Sequence, residues 1–322
     1  MSSMRQKQGK RWSVQVPKAH SDIWFNDGTI ILEAENTQFR VYRGLLEKHS
    51  SVLKDIFAGL QYKSRVVSVD GCPVVHLSDR SQDVHHLLHA LYDCFYNSFE
   101  RQPVPILAAM IRLGHKYNIT KLRDDALSRL KHEYPSTLET WTAGLCAGFT
   151  RIELDTGDAS ELDLLLLARE YRLQTILPAL YFNLASTFSL EAISDGFERL
   201  DGSIVKLSAR DIVLCAVGFE SLRSGSIQTT FSWLTDLPYA GCTSPDGLKC
   251  SDGARSVHFE VFVEFDCNIT GLNPWKASWL KQFCRVCGPA AKAAHEEGRR
   301  EFWNDIPGCF GLPDWEDLTN FA

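Results

Sequence analysis

The chain has 322 residues, 44% hydrophobic and 23% charged, with a formal net charge of −6. That length suits about two domains, and the composition is too apolar for disorder and too poor in Gly and Pro for a fibre. No apolar run approaches the roughly 20 residues that span a bilayer, and the acidic balance argues against nucleic acid as the main partner.

Residues 1 to 20 hold Arg5, Lys7, Lys10, Arg11 and Lys18 and no acidic side chain. They lack the apolar stretch of a secretory signal and are read as a basic disordered tail. Without a signal the protein is expected inside the cell, cytoplasmic or nuclear, where cysteines serve as thiols or metal ligands. The first ordered element is expected near the turn pair Asp27-Gly28. Thr29 to Glu35 is β-rich, and Phe39 and Val41 continue it as a hairpin partner across an Asn36-Thr37 turn. From Gly44 to Leu60, Leu45, Leu46, His49, Leu53, Ile56, Phe57 and Leu60 recur at helical spacing. Ser50-Ser51 interrupts them, so two short helices are expected, with one of these serines capping the second. Val66, Val67 and Val69, then Val74, Val75 and Leu77, read as two strands about an Asp70-Gly71 turn.

A helix is predicted from Ser81 to about Phe95, with Ser78 as its N-cap and Asp79 and Asp83 in the first turn. Val84, Leu87, Leu88 and Leu91 form its apolar face. Pro103 and Pro105 open another helix, Ile106 to Tyr117; Thr120 caps a third, which runs to about His132, and Pro135 ends the block. Strands first and helices after is the α+β order.

The segment DGTIILEAENTQFRVYRGLLEKHSSVLKDIF, followed by VVHL, LLHALYD and LAAMIRLGHKYNITKLRDDALSRL, resembles a BTB/POZ domain. It is most similar to the divergent BTB proteins abundant in mushroom-forming fungi. Phe39, Val41, Arg43, Leu46, Ser50, Ile56 and Phe57 fit the family pattern. Tyr42, Thr29 and Ser51 depart from it, standing where the family usually has His, an acidic residue and Pro. The resemblance implies a BTB/POZ fold, a short mixed sheet with helices, over residues 21–134.

Residues 135–322 are expected to form a mainly α-helical C-terminal domain. Thr150 to Ser160 reads as a linker or exposed loop. Residues 162–185 read as two helices that echo residues 106–130 at an offset of 54, pairing Leu113 with Leu167, Tyr117 with Tyr171 and Ile119 with Leu173. Two copies are too few for a solenoid, so the chain is read as reusing one helical-hairpin packing solution. A helix is expected over Ser208 to Ser221. Val257 to Phe265 is a strand or a buried helix, and Ala290 to Trp303 an amphipathic helix. Phe302, Trp303, Phe310, Leu312 and Trp315 are read as a packed cap, with an exposed docking patch as the alternative.

No nucleotide-binding or hydrolase motif occurs, and His132-Glu133 and His295-Glu296 lack the second His of a zincin. The chain is therefore read as non-enzymatic. His85 and His89 would share a helix face, a spacing that lets two imidazoles reach one metal. Only Asp93 offers a third ligand at a matching spacing, so His85, His86 and His89 are read as a solvated or interfacial face.

Five of the ten cysteines crowd into residues 242–287: Cys242, Cys250, Cys267, Cys284 and Cys287. Cys284-x-x-Cys287-Gly can turn two thiolates toward one Zn2+, and Cys242-x7-Cys250 sits in a loop that a metal would staple. Spacing leaves three readings open: a four-thiolate structural zinc with Cys267 as the spare, ordinary buried thiols, or a redox dithiol. The tail WKASWLKQFCRVCGPAAKAAHEEGRREFWNDIPGCFGLPDWEDL resembles the one many of the fungal proteins carry, with Cys-x-x-Cys followed by His-Glu-x-Gly-Arg. That resemblance places zinc first.

The BTB resemblance implies protein partners: self-association as a homodimer, or scaffolding. An alternative is a substrate adaptor for a cullin-type ubiquitin ligase. Some such adaptors carry an apolar-x-Glu motif after the second helix, but Ala58 to Gly71 contains no Glu, and neither kelch nor Trp-Asp repeats follow. A further alternative is a zinc-containing transcription or chromatin regulator. Against it, Lys249, Arg255, Lys276, Lys281 and Arg285 are matched by Asp246, Asp252, Glu260, Glu264 and Asp266, leaving no basic stripe.

Overall fold

A computed structural model describes residues 19–60, 67–92, 100–144, 148–154, 159–263 and 270–321. The tail before residue 19, Val66, Asp93 and the expected helix end at Phe95 lie outside the described residues, as do Cys267 and residues 155–158 of the expected 150–160 linker. The chain is mixed α+β and divides into two compact units, Met1–Asn97 with Ala109–Arg123, and Ser98–Ala108 with Asp124–Ala322. The dividing lines cross helices α4 (Val104–Lys116) and α5 (Thr120–Glu133).

In the first unit, strands β1 (Ala19–Trp24), β2 (Ile30–Ala34), β3 (Thr37–Val41), β4 (Ser68–Val69) and β5 (Cys72–Leu77) form one sheet in the order β1-β3-β2-β5-β4. The sheet is mixed: β1 with β3 and β2 with β5 are parallel, the other two pairs antiparallel. The expected β2–β3 hairpin is present. Its loop is Glu35-Asn36 rather than Asn36-Thr37, since Ala34 pairs with Thr37 and Glu35 takes φ +52°. Asp70-Gly71 makes the β4–β5 turn with both residues at positive φ, as a two-residue hairpin of the right twist requires. Strand β1 begins eight residues before the first element expected from the sequence. Its AHSDIW pattern carries no clean alternation, and its pairing with β3 shifts register between His20 and Trp24.

Helices α1 (Arg43–His49) and α2 (Ser51–Gly59) break at Ser50, as expected. The buried Ser50 hydroxyl accepts from the Leu53 amide at 2.9 Å and donates to the Tyr117 carbonyl at 2.5 Å. Helix α3 (Ser81–Tyr92) is not capped by Ser78. Its first amide, from Ser81, goes to the Glu35 carboxylate at 3.0 Å, while Ser78 and Asp79 accept from Lys116 instead.

The second unit is mainly helical. It contains α6 (Leu138–Gly144), α7 (Ala159–Glu170), α8 (Leu177–Thr187), α9 (Leu190–Asp195), α10 (Ala209–Gln228), α11 (Trp233–Asp236), α12 (Leu248–Phe262) and α13 (Cys287–Cys309). Two short pairings accompany them: β6 (Gln102–Pro103) with β7 (Ile152–Glu153), and β8 (Phe197–Glu198) with β9 (Ile204–Val205). Val257 to Phe262 is helical, so the strand alternative fails there. The aromatic tail packs inward: Phe302, Trp303 and Phe310 are buried, Trp303 stacks on Trp315 at 4.8 Å, and Tyr181 stacks on Phe310 at 4.2 Å.

The internal echo is a structural repeat of a helix stop. Ile119 N–H bonds to Gly114 C=O at 2.8 Å, and Leu173 N–H to Ala168 C=O at 2.7 Å. Asn118 and Arg172, also 54 apart, both take the left-handed conformation that closes such a stop.

Because Ser50 satisfies two buried backbone groups, Ser50→Ala should lower unfolding free energy by about 2–3 kcal/mol. The midpoint of urea denaturation measures this, and Ser51→Ala, at an exposed position, should change it little.

Candidate metal centre

The four cysteines singled out by spacing converge. The sulfur atoms of Cys242, Cys250, Cys284 and Cys287 all lie within 4.8 Å of one another. Cys242 Sγ is 3.7 Å from Cys250 Sγ and 3.8 Å from Cys284 Sγ. With Zn–S bonds of about 2.3 Å, a tetrahedral four-sulfur site has S···S edges of about 3.8 Å. These contacts are far longer than a disulfide, and all four side chains are free thiols.

Each sulfur is placed by a different local device. Cys242 closes a turn, its amide donating to the Tyr239 carbonyl at 3.0 Å. The x7 gap that separates it from Cys250 is wider than in most zinc ribbons. It is absorbed by a one-turn 3-10 segment, Pro245–Gly247, which delivers Cys250 into the first turn of α12. Cys284 follows a second 3-10 turn, Trp279–Gln282, and Cys287 is the first residue of α13. Two of the ligands thus sit at helix N-termini, where the amide dipoles favour negative sulfur. Gly253 makes the approach of Cys284 feasible, since a Cβ there would fall 2.8 Å from the Gln282 carbonyl oxygen.

Backbone amides also serve the sulfurs. Cys284 N–H donates to Cys250 Sγ and Cys287 N–H to Cys284 Sγ, each at 3.3 Å. The Cys287 amide, with help from Thr243, draws Cys284 down to about 5. Burial pushes Cys250 up and Cys287 up to about 12, with the Cys242 and Cys284 sulfurs adding to both. The amide dipoles and the burial oppose each other, and at the two buried cysteines burial dominates. A cation entering the cluster would displace those protons.

The surrounding core is aromatic. Phe231, Trp233, Val257, Val261, Trp279, Phe283 and Ala291 are buried with Cys250 and Cys287, and Trp275 packs against them. Three residues of the tail's His-Glu-x-Gly-Arg motif, His295, Gly298 and Arg299, are buried. His295 is fully buried; its Nδ1 accepts from Trp233 Nε1 at 3.3 Å, and its Nε2–H donates to the Asn273 carbonyl at 2.9 Å. The Trp233 donor requires an unprotonated Nδ1 and so the neutral ring, and burial lowers its pKa. Gly298 lets α13 pass over Thr229, whose carbonyl oxygen would lie 2.4 Å from a Cβ. Buried Arg299 donates to the Leu272 carbonyl at 3.1 Å and to the Glu296 carboxylate at 2.8 Å.

The histidine face is also more organised than its sequence suggests. His85 and His89 come together with Asp22 of β1, a residue that sequence reasoning did not select because its strand was not recognised. Hydrogen bonding from Ser21 first, then the two histidines, draws Asp22 down to about 2. His86 points elsewhere: its Nε2 is buried with no hydrogen-bond partner among the described residues, and burial lowers its pKa.

His295 sets a pH dependence. The unfolded ring titrates near 6.5, whereas the folded ring resists protonation, so below about pH 6.5 the unfolded chain binds the extra proton. Stability present above that pH should fall as the pH falls, by up to about 1.4 kcal/mol per unit for this one proton. Denaturation between pH 5.5 and 7.5 measures the slope, and His295→Gln should flatten it while lowering stability throughout.

No family model matches the chain, and no curated protein matches it.

Proposed function

We propose that this chain is a non-enzymatic protein-interaction module: a BTB/POZ-like first unit that self-associates, joined to a helical unit stapled by one structural zinc. The observation that carries the zinc reading is the four-sulfur cluster, whose S···S contacts match the edges of a tetrahedral Zn2+ site. Four protein ligands leave no open position for substrate, which favours a structural role over a catalytic one. Zinc there supplies a cross-link between the 237–250 loop, α12 and the start of α13.

Two observations support the interaction reading. The first unit combines a mixed five-stranded sheet with helices, consistent with the α+β class of the BTB/POZ resemblance. The second unit closes on its own aromatic and cysteine core. The partner favoured by the resemblance is a second copy of the chain. Among the described residues no helix is long and apolar enough to cross a membrane.

Metal content and native mass of the full chain test both halves. The expected result is one zinc per chain surviving dialysis, and a dimeric mass. In Cys250→Ser or Cys284→Ser the retained zinc should fall by tenfold or more, with loss of thermal stability. A metal-free chain that is fully folded and monomeric would overturn both readings.

A further inference from the structure

We propose that Asp22, His85 and His89 form a second metal site, specific for a first-row divalent transition ion, that clamps edge strand β1 to helix α3. The three ligand atoms already converge. His85 Nε2 is 2.9 Å from Asp22 Oδ1, His89 Nε2 is 3.2 Å from His85 Nε2, and His89 Nε2 is 3.6 Å from Asp22 Oδ2. With metal–ligand bonds of about 2.0–2.1 Å, neighbouring ligands stand about 2.9 Å apart in an octahedron and about 3.4 Å apart in a tetrahedron. The observed separations, to Oδ1 from His85 and to Oδ2 from His89, fall around those values.

Hydrogen bonds and ion pairs already draw the three groups together, and one cation would bridge the same three. Two imidazole nitrogens that face each other at 3.2 Å share one proton at most, and both also face the same carboxylate. The carboxylate is held in place independently. Asp22 Oδ1 accepts from Ser21 Oγ at 2.7 Å and from the Ile23 amide at 3.1 Å. Asp22 also lies in the stretch where β1 loses register with β3, and irregularities of this kind re-aim a side chain. The histidines are four apart on α3, whose Val84, Leu87 and Leu88 are buried, so the helix fixes their spacing.

The donor set selects the ion. Two imidazoles and one carboxylate suit zinc, cobalt, nickel or copper rather than magnesium or calcium, which take all-oxygen shells. The Asp22 side chain is 66% exposed and the two histidines 33% and 40%, so the remaining coordination positions face solvent. This open, thiolate-free site differs in kind from the closed four-sulfur cluster and does not depend on it.

Co2+ titrated into the purified full chain, with its tightly bound metal in place, tests the proposal. One further equivalent should bind, giving weak visible absorption without a sulfur-to-metal charge-transfer band. Asp22→Asn and His89→Gln should each weaken binding by about tenfold or more, and the His85→Gln/His89→Gln pair should abolish it. His258→Gln, at an exposed histidine of the second unit, should leave it unchanged. In the wild-type chain, Zn2+ should move the ring NMR signals of two histidines, a readout that holds even if a variant fails to fold. Absence of the extra equivalent, or its survival in the double variant, would overturn the proposal.

Discussion

Four sulfur atoms held within one small volume set the terms for the second unit. Residues 270–286 contain only a single 3-10 turn, so this stretch cannot satisfy its own backbone in the way a helix does. Sulfur takes over part of that task by accepting the amides of Cys284 and Cys287. The rings of Trp233, Trp275, Trp279 and Phe283 then exclude water around it. Bringing thiols together raises the cost of charging each of them, and a divalent cation removes that cost by neutralising the shared charge. The cluster therefore links local backbone satisfaction and aromatic packing at the place where the zinc is proposed to bind.

The same accounting governs the buried polar residues elsewhere. His295 stays neutral because its two nitrogens meet a donor and an acceptor respectively. Arg299 is charged and buried, and it has both a carboxylate and a carbonyl for its guanidinium. In the first unit Glu33 is buried in β2 beside Gln38 at 2.7 Å and His76 at 2.8 Å. Ser50 satisfies one amide and one carbonyl at a helix junction. Each of these four interior polar residues is held by partners of the right polarity.

The legible parts of the sequence were those governed by local physics. The β2–β3 and β4–β5 hairpins, the Ser50 break and the two helical hairpins 54 residues apart could be read from apolar period and turn chemistry. The repeated stop is instructive: neither Asn118 nor Arg172 is glycine, yet the flanking apolar positions reveal the hairpin. Strand β1 was illegible because AHSDIW has no period-two pattern, and its pairing partner is a strand remote in the chain. Ser78 was misread as a cap because Lys116, 38 residues away, competes for its hydroxyl.

The sequence alone determined which cysteines could matter, since five of ten crowd into one segment and one pair has metal-ligand spacing. It also determined the strand-then-helix order and the helical character of the second half. Only the tertiary structure decided that Cys242 and Cys250, with their wide gap, reach Cys284 and Cys287. Only there, too, does Asp22 meet His85 and His89. Spacing constrains ligands that share one turn or one helix face, but ligands on separate elements converge through packing. Packing depends on contacts that no local pattern in the chain records.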